Sequence, residues 1–144
     1  MEPSSDCVKL VKESEGFRSK PYRDAAGLGT VAFGHKILPH EDFSAGVTIE
    51  QGEEILWKDL CQAADSVDLL VKVSLTQGQY DALCDFVFNE GAGRLKDSTL
   101  LRKLNMGLYD QIPAELARWN LAGGKVLPGL VVRRQKEIDL WGRI

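Results

Sequence analysis

Glu15-Gly16-Phe17-Arg18-Ser19-Lys20-Pro21-Tyr22-Arg23-Asp24-Ala25-Ala26-Gly27-Leu28-Gly29-Thr30-Val31-Ala32-Phe33-Gly34-His35 is the stretch where the apolar period changes. Before it, Asp6 can cap a helix over about residues 7–14, with Cys7, Leu10 and Val11 as its apolar stripe. Gly16 ends that helix and leaves Glu15 at its last turn or just beyond, where a side chain can reach into a cleft. From Phe17 onward the apolar pieces are short and are broken by Pro21, Gly27, Gly29 and Gly34. That pattern predicts a small antiparallel sheet with hairpin turns. Asp24 falls in the first turn, and Thr30 opens the next strand.

Everything after this stretch reads as helix. Thr48 with Gln51 forms a capping box, and the helix it opens ends near Ala63-Ala64 or continues to about Lys72. Thr76 with Gln79 forms a second box for a helix over about 77–90, whose apolar interior marks it as the centre of a bundle. Ser98 caps a short helix through Leu104. Residues 110–119 are expected to form another, 122–129 a loop, and 130–141 the last helix. The fold class is therefore α+β, with helices segregated from a small sheet. One domain of two lobes is expected: a sheet-containing lobe over about 15–60, and a helical lobe over 61–144 together with 1–14.

The formal net charge of −3 is unevenly spread. Residues 1–60 carry seven Lys/Arg against eleven Asp/Glu, and residues 61–144 carry eleven against ten. No strong positive field is present, so no nucleic-acid partner is expected. Cys7, Cys61 and Cys84 cannot all pair and lie in apolar helical patterns, so they read as small buried thiols in a reducing compartment. None stands at metal-ligand or redox-motif spacing, and no metal or cofactor is expected. No apolar run is long enough for a signal peptide or a membrane span.

Two carboxylates in unlike surroundings are the working parts of most glycoside hydrolases. Glu15, between an apolar helix and Gly16-Phe17, is the candidate general acid. Asp24, in a polar turn, is expected to stay ionised, and Thr30 can hold a water beside it. Both Asp24 and Thr30 are expected in or beside an exposed turn, with little weight in stability. By spacing alone, Glu15 reads as a solvated residue after a helix, and Asp24 as an ordinary turn former. His35 reads as a structural histidine.

Specific motifs add to this reading. Glu15-Gly16, Tyr22-Arg23-Asp24, Gly27 and Thr30-Val31-Ala32-Phe33-Gly34-His35 resemble the first motif of the phage-type lysozymes. The similarity continues through Leu75–Leu83, Phe88-Asn89, Ser98–Asn105, Trp119-Asn120 and Leu127–Arg134 with Glu137, covering about residues 7–142. The resemblance implies a lysozyme-like fold of two lobes joined by a long helix. It implies hydrolysis of the β-1,4 bond between N-acetylmuramic acid and N-acetylglucosamine in bacterial peptidoglycan, usually with inversion. Glu15 would be the general acid, and Asp24 with Thr30 would activate water. Phe33, Leu28 and Asn89 would contact substrate, and Arg133 or Arg134 would brace Glu15. Burial would keep the Glu15 proton on and such an arginine would draw it off, so the balance stays open. Trp119 reads as core. Two departures stand out: Ala32, where the family usually has glycine and where a methyl could crowd the sheet or the sugar path, and Glu90.

The expected partners are peptidoglycan and a pore-forming holin. The chain is expected to be a monomer that gathers in the host cytoplasm and acts on the wall once the membrane is permeabilised. Two other readings remain. One is a non-catalytic glycan-binding or structural relative, motivated by Ala32 and the acidic surface. The other is a lytic transglycosylase, which cleaves the same bond without water and needs no Asp/Thr pair.

Overall fold

In the computed structural model, which describes residues 1–143, the change of period at Glu15 marks the passage from helix to sheet. Helix α1 (Ser5–Glu15) ends at Gly16, whose backbone φ is 69°. It starts earlier than expected because Ser4, not Asp6, is its cap: Ser4 Oγ accepts from the Asp6 N–H at 3.2 Å. Ser4 is fixed in turn by Asp81, which accepts its N–H at 3.0 Å and also its hydroxyl. Asp6 then stands in the first turn, where a negative charge suits the helix dipole.

Strands β1 (Arg18–Arg23), β2 (Gly29–Ala32) and β3 (His35–Lys36) form one antiparallel sheet in that order. Tyr22 and Lys36 flank Thr30 from either side, and His35 pairs with Val31. Pro21 lies on the edge strand β1, the place where a missing N–H is tolerated, and the register shifts between Arg18 and Tyr22.

Helix α2 (Ile49–Leu70) takes the longer of the two expected lengths. At 22 residues it spans about 33 Å and links the sheet to the helical lobe. Both capping boxes form: Thr48 with Gln51 on α2, and Thr76 with Gln79 on α3 (Gln77–Glu90). α3 is buried from Gly78 to Val87 with hardly a break apart from Gln79 and lies at the centre of the lobe, against α2, α1 and the last helix. Its contact with that last helix depends on Gly78, where an added Cβ would stand 2.1 Å from the Leu140 carbonyl oxygen.

Three details differ from expectation. A short helix α4 (Ala92–Lys96) follows Gly91 before α5 (Thr99–Asn105). The segment expected as one helix over 110–119 is a 3-10 turn (Tyr109–Gln111) leading into α6 (Ile112–Ala117). The expected loop holds a tight hairpin, β4 (Leu121–Ala122) and β5 (Lys125–Val126), turned by Gly123-Gly124 with both φ positive. A Gly-Gly pair between two short extended pieces is the signal for that two-residue turn. α7 (Pro128–Trp141) then starts on its proline, the residue best suited to a first helical position. The result is the two-lobed α+β fold expected: a small sheet lobe and a larger helical lobe. Cys7 and Cys84 are buried, Cys61 is half-buried, and all three thiols are free.

Candidate active site

Glu15 projects from the last residue of α1 and is 20% exposed. Its side chain lies on Gly34, in the turn between β2 and β3: a Cβ there would stand 2.6 Å from Oε1. Only glycine leaves room for this carboxylate, and Gly34 also has a φ of 74°. Of the two arginines that could brace Glu15, it is Arg133 that does so, donating from Nη1 to Oε2 at 2.7 Å. Oε1 has no protein hydrogen-bond partner among the described residues.

Asp24 sits in the β1–β2 turn and organises it. Its Oδ1 accepts the Ala26 and Leu28 N–H groups at 2.9 and 2.8 Å, and Lys36 Nζ donates to Oδ2. The Lys36 ammonium, helped by the Leu28 N–H, holds the carboxyl below its usual range, so Asp24 is ionised. Lys36 lies two residues beyond Gly34 on the same hairpin, so one short segment touches both carboxylates.

Thr30 is not at an exposed turn. It is fully buried on the middle strand, and its hydroxyl donates to the Leu28 carbonyl at 2.9 Å. Its removal therefore carries a structural cost that an exposed position would lack. Phe33 also departs from expectation: it is 6% exposed and packs in the core, with its ring 5.2 Å from that of Phe17. Burial makes it a support for the sheet, not a sugar contact. Leu28, by contrast, is 54% exposed at the tip of the Asp24 turn. Asn89 is half-buried near the end of α3, and Arg134 Nη2 donates to its Oδ1 at 2.7 Å, which turns its NH2 group away from that arginine.

The Ala32 methyl is fully buried and faces the first turn of α2 near Gly52, not a sugar path. Its cost is in the backbone, at a φ of 57°, a region that non-glycine residues occupy at about 1–2 kcal/mol. Glu90 is held back by Arg94 at 2.9 Å and Arg134 at 3.4 Å. Trp119 is half-buried and packs edge-on against Phe86 at 5.2 Å, at the border of the core. It also lines a cavity of about 350 Å³ with Arg94, Thr99 and Arg118 in the helical lobe. His35 is structural: Asp59 of α2 meets its Nδ1 at 2.7 Å, and Glu41 meets its Nε2 at 2.9 Å. Burial pulls the imidazole pKa down, but the two carboxylates outweigh it and the net shift is upward.

Residues that pattern reading passes over are the buried charges behind Glu15. Asp85 and Glu137 are both fully buried, and Asp85 binds Arg133. A signal exists: Asp81 and Asp85 are one turn apart on a helix that is otherwise apolar nearly all round. Among the described residues, no group of three or more His, Cys, Asp or Glu could hold a metal ion.

The phage lysozyme family model matches residues 12–137. An endolysin of Acyrthosiphon pisum secondary endosymbiont phage 1 is 41% identical over 145 residues, 98% of this chain and 98% of that relative. The endolysin of Bacillus phage B103 is 40% identical over 139 residues, 93% of this chain, and the chain spans about half (51%) of its length. Among solved structures, the muramidase domain of SpmX from Asticaccaulis excentricus superimposes with a TM-score of 0.89 at 31% identity, over 99% of both chains.

Proposed function

The chain belongs to the phage lysozyme family, and from that membership and the geometry of Glu15 we propose that it hydrolyses the β-1,4 bond between N-acetylmuramic acid and N-acetylglucosamine in bacterial peptidoglycan. Family and structural likeness support glycoside-hydrolase activity of the muramidase kind in general. The observation that carries the finer reading is the division between the two Glu15 oxygens. Oε2 is held by Arg133, and Oε1 is left to carry a proton. Glu15 delivers that proton to the leaving oxygen as the glycosidic bond breaks. Arg133 then stabilises the carboxylate that remains.

Asp24 and Thr30 act on the water. The Thr30 hydroxyl lies buried beneath the Asp24 turn and spends its only hydrogen on the Leu28 carbonyl, so toward a bound water it can only accept. The ionised Asp24 also can only accept. A water between them donates both its hydrogens and aims a lone pair at the anomeric carbon. Asp24 takes the water proton as the new C–O bond forms, on the face opposite the departing sugar, which gives inversion. Leu28 and Asn89 are the proposed sugar contacts.

Replacing Glu15 by Gln keeps the shape and an oxygen for Arg133 but removes the proton. Clearing of outer-membrane-permeabilised bacteria is expected to fall about 100-fold or more, with an unchanged melting curve. A well-folded Glu15→Gln protein that keeps above about a tenth of the rate overturns the assignment. Equal absence of clearing in the parent would favour a non-catalytic relative.

A further inference from the structure

Behind Glu15 lies a set of charges for which the proposed reaction has no use. Asp85 on α3 accepts from Arg133 Nε at 3.0 Å and from Nη2 at 2.8 Å, one bond to each carboxylate oxygen. The third nitrogen, Nη1, is the one that reaches Glu15. A guanidinium directed through all three nitrogens is fixed in plane and in rotation. Glu137, one turn beyond Arg133 on α7, is fully buried, pairs with Arg134 at 2.9 Å and lies against Asp85. Two touching carboxyls do not both ionise. Burial and the proton shared with Asp85 raise Glu137 well above its ordinary range. Burial also opposes charge on Asp85, but Arg133 and the Glu137 hydrogen bond outweigh it, and Asp85 ends below its usual range. Within the pair the charge lies toward Asp85 and the proton toward Glu137.

We infer that Asp85 is a positioning residue for the general acid: it occupies two of the three Arg133 nitrogens, so that Arg133 meets Glu15 through a single hydrogen bond and leaves Oε1 free. The inference rests on the reading of Glu15 as the acid. Without the Asp85 anchor, the Arg133 fork can turn and grip both Glu15 oxygens. Such a bidentate pair favours the ionised carboxylate, which has no proton to deliver. Losing the Asp85 charge also removes a negative neighbour, and this acts in the same direction.

The other titratable neighbours are few. From α1, Asp85 faces the Cys7 thiol and, across Arg133, Glu15; its own helix adds Asp81 and Cys84. From α7 come Arg133, Glu137 and Arg134, the last lying 2.9 Å from Glu137. Lys136 on α7 is turned away toward Glu13. Helices α2 and α4 supply no hydrogen-bonded or ion-paired partner to Asp85 among the described residues.

The test is the pH–rate profile of Asp85→Asn beside Glu137→Gln, with Glu15→Gln as reference. Asp85→Asn is expected to lower kcat about 10-fold near neutral pH with KM little changed, and to move the alkaline limb about half a pH unit or more acidward. Glu137→Gln imitates the protonated side chain and is expected to keep the parent profile. An Asp85→Asn protein that folds and keeps the parental alkaline limb, while Glu15→Gln is dead, overturns the positioning role alone. An active Glu15→Gln overturns the underlying reading instead. If Asp85→Asn does not fold, carboxyl 13C NMR of the parent decides: Asp85 ionised throughout pH 4–8 supports the inference, and protonation of Asp85 in that range overturns it.

Discussion

Asp24 keeps its charge because Lys36 and two backbone N–H groups hold it, and Lys36 can be removed without touching the turn. The sign follows from the shift. A carboxyl held below its usual range stays an effective base further into acid, and removing the ammonium returns it toward that range. Lys36→Met is therefore expected to move the acid limb of the pH–rate profile to higher pH, with little change in melting temperature, since Lys36 is half exposed. Thr30→Val, measured beside it, is expected to lower the rate at every pH, with the acid limb in place. It also loses a buried hydrogen bond worth about 1 kcal/mol, read by urea denaturation. A Thr30→Val protein with the parental rate makes Thr30 a packing residue. An unmoved acid limb in Lys36→Met removes Asp24 from the rate-determining titration.

At the scale of elements, the contact between α3 and α7 carries the site, because it seats Arg133 on Asp85, from where Arg133 reaches Glu15 on α1. Gly78 permits that contact. A methyl placed 2.1 Å from a backbone carbonyl cannot be absorbed by a side-chain rotation, so the helices must part. Gly78→Ala is expected to cost about 3 kcal/mol in denaturant unfolding and to lower activity as Arg133 shifts. A loss under about 0.5 kcal/mol would show that the seam is looser than described. Part of this architecture is legible in the amino-acid sequence. The boxes Thr48/Gln51 and Thr76/Gln79 depend only on residue type and a spacing of three, and both form. The Ser4 cap is not legible, because it depends on Asp81, 77 residues away. Glu15 and Asp24 can be named from a local motif. The anchoring of Arg133 by Asp85 cannot: the apolar surroundings of Asp85 hint that it is buried, but its partner lies 48 residues away. Thr30 and Phe33 lie deeper than their pattern suggests for a different reason. The middle strand, covered by α2, and the turn after it are buried on successive residues from Thr30 to His35, where alternation suggests one exposed face.

For the molecule as a whole, the two lobes divide the labour. The sheet lobe holds Asp24, Thr30 and the glycine that receives Glu15, and the helical lobe supplies Arg133 and its anchor. No helix among the described residues is long and apolar enough to cross a membrane. From the chain's likeness to endolysins, and not from that absence, we propose that the protein gathers in the host cytoplasm and reaches the wall through a pore made by a holin. Expression alone is then expected to leave cells intact, and co-expression with a pore former to clear the culture. Rapid lysis on expression alone contradicts that route. The proposed mechanism turns on water, held by Asp24 and Thr30 and set against an acid at Glu15, as the group that cleaves the glycan. Digestion of purified peptidoglycan in H2(18)O, with mass spectrometry of the new ends, reads that step itself. The expected products are reducing N-acetylmuramic acid ends carrying one 18O atom, with none from Glu15→Gln. Products ending in 1,6-anhydro sugars without 18O would contradict the mechanism.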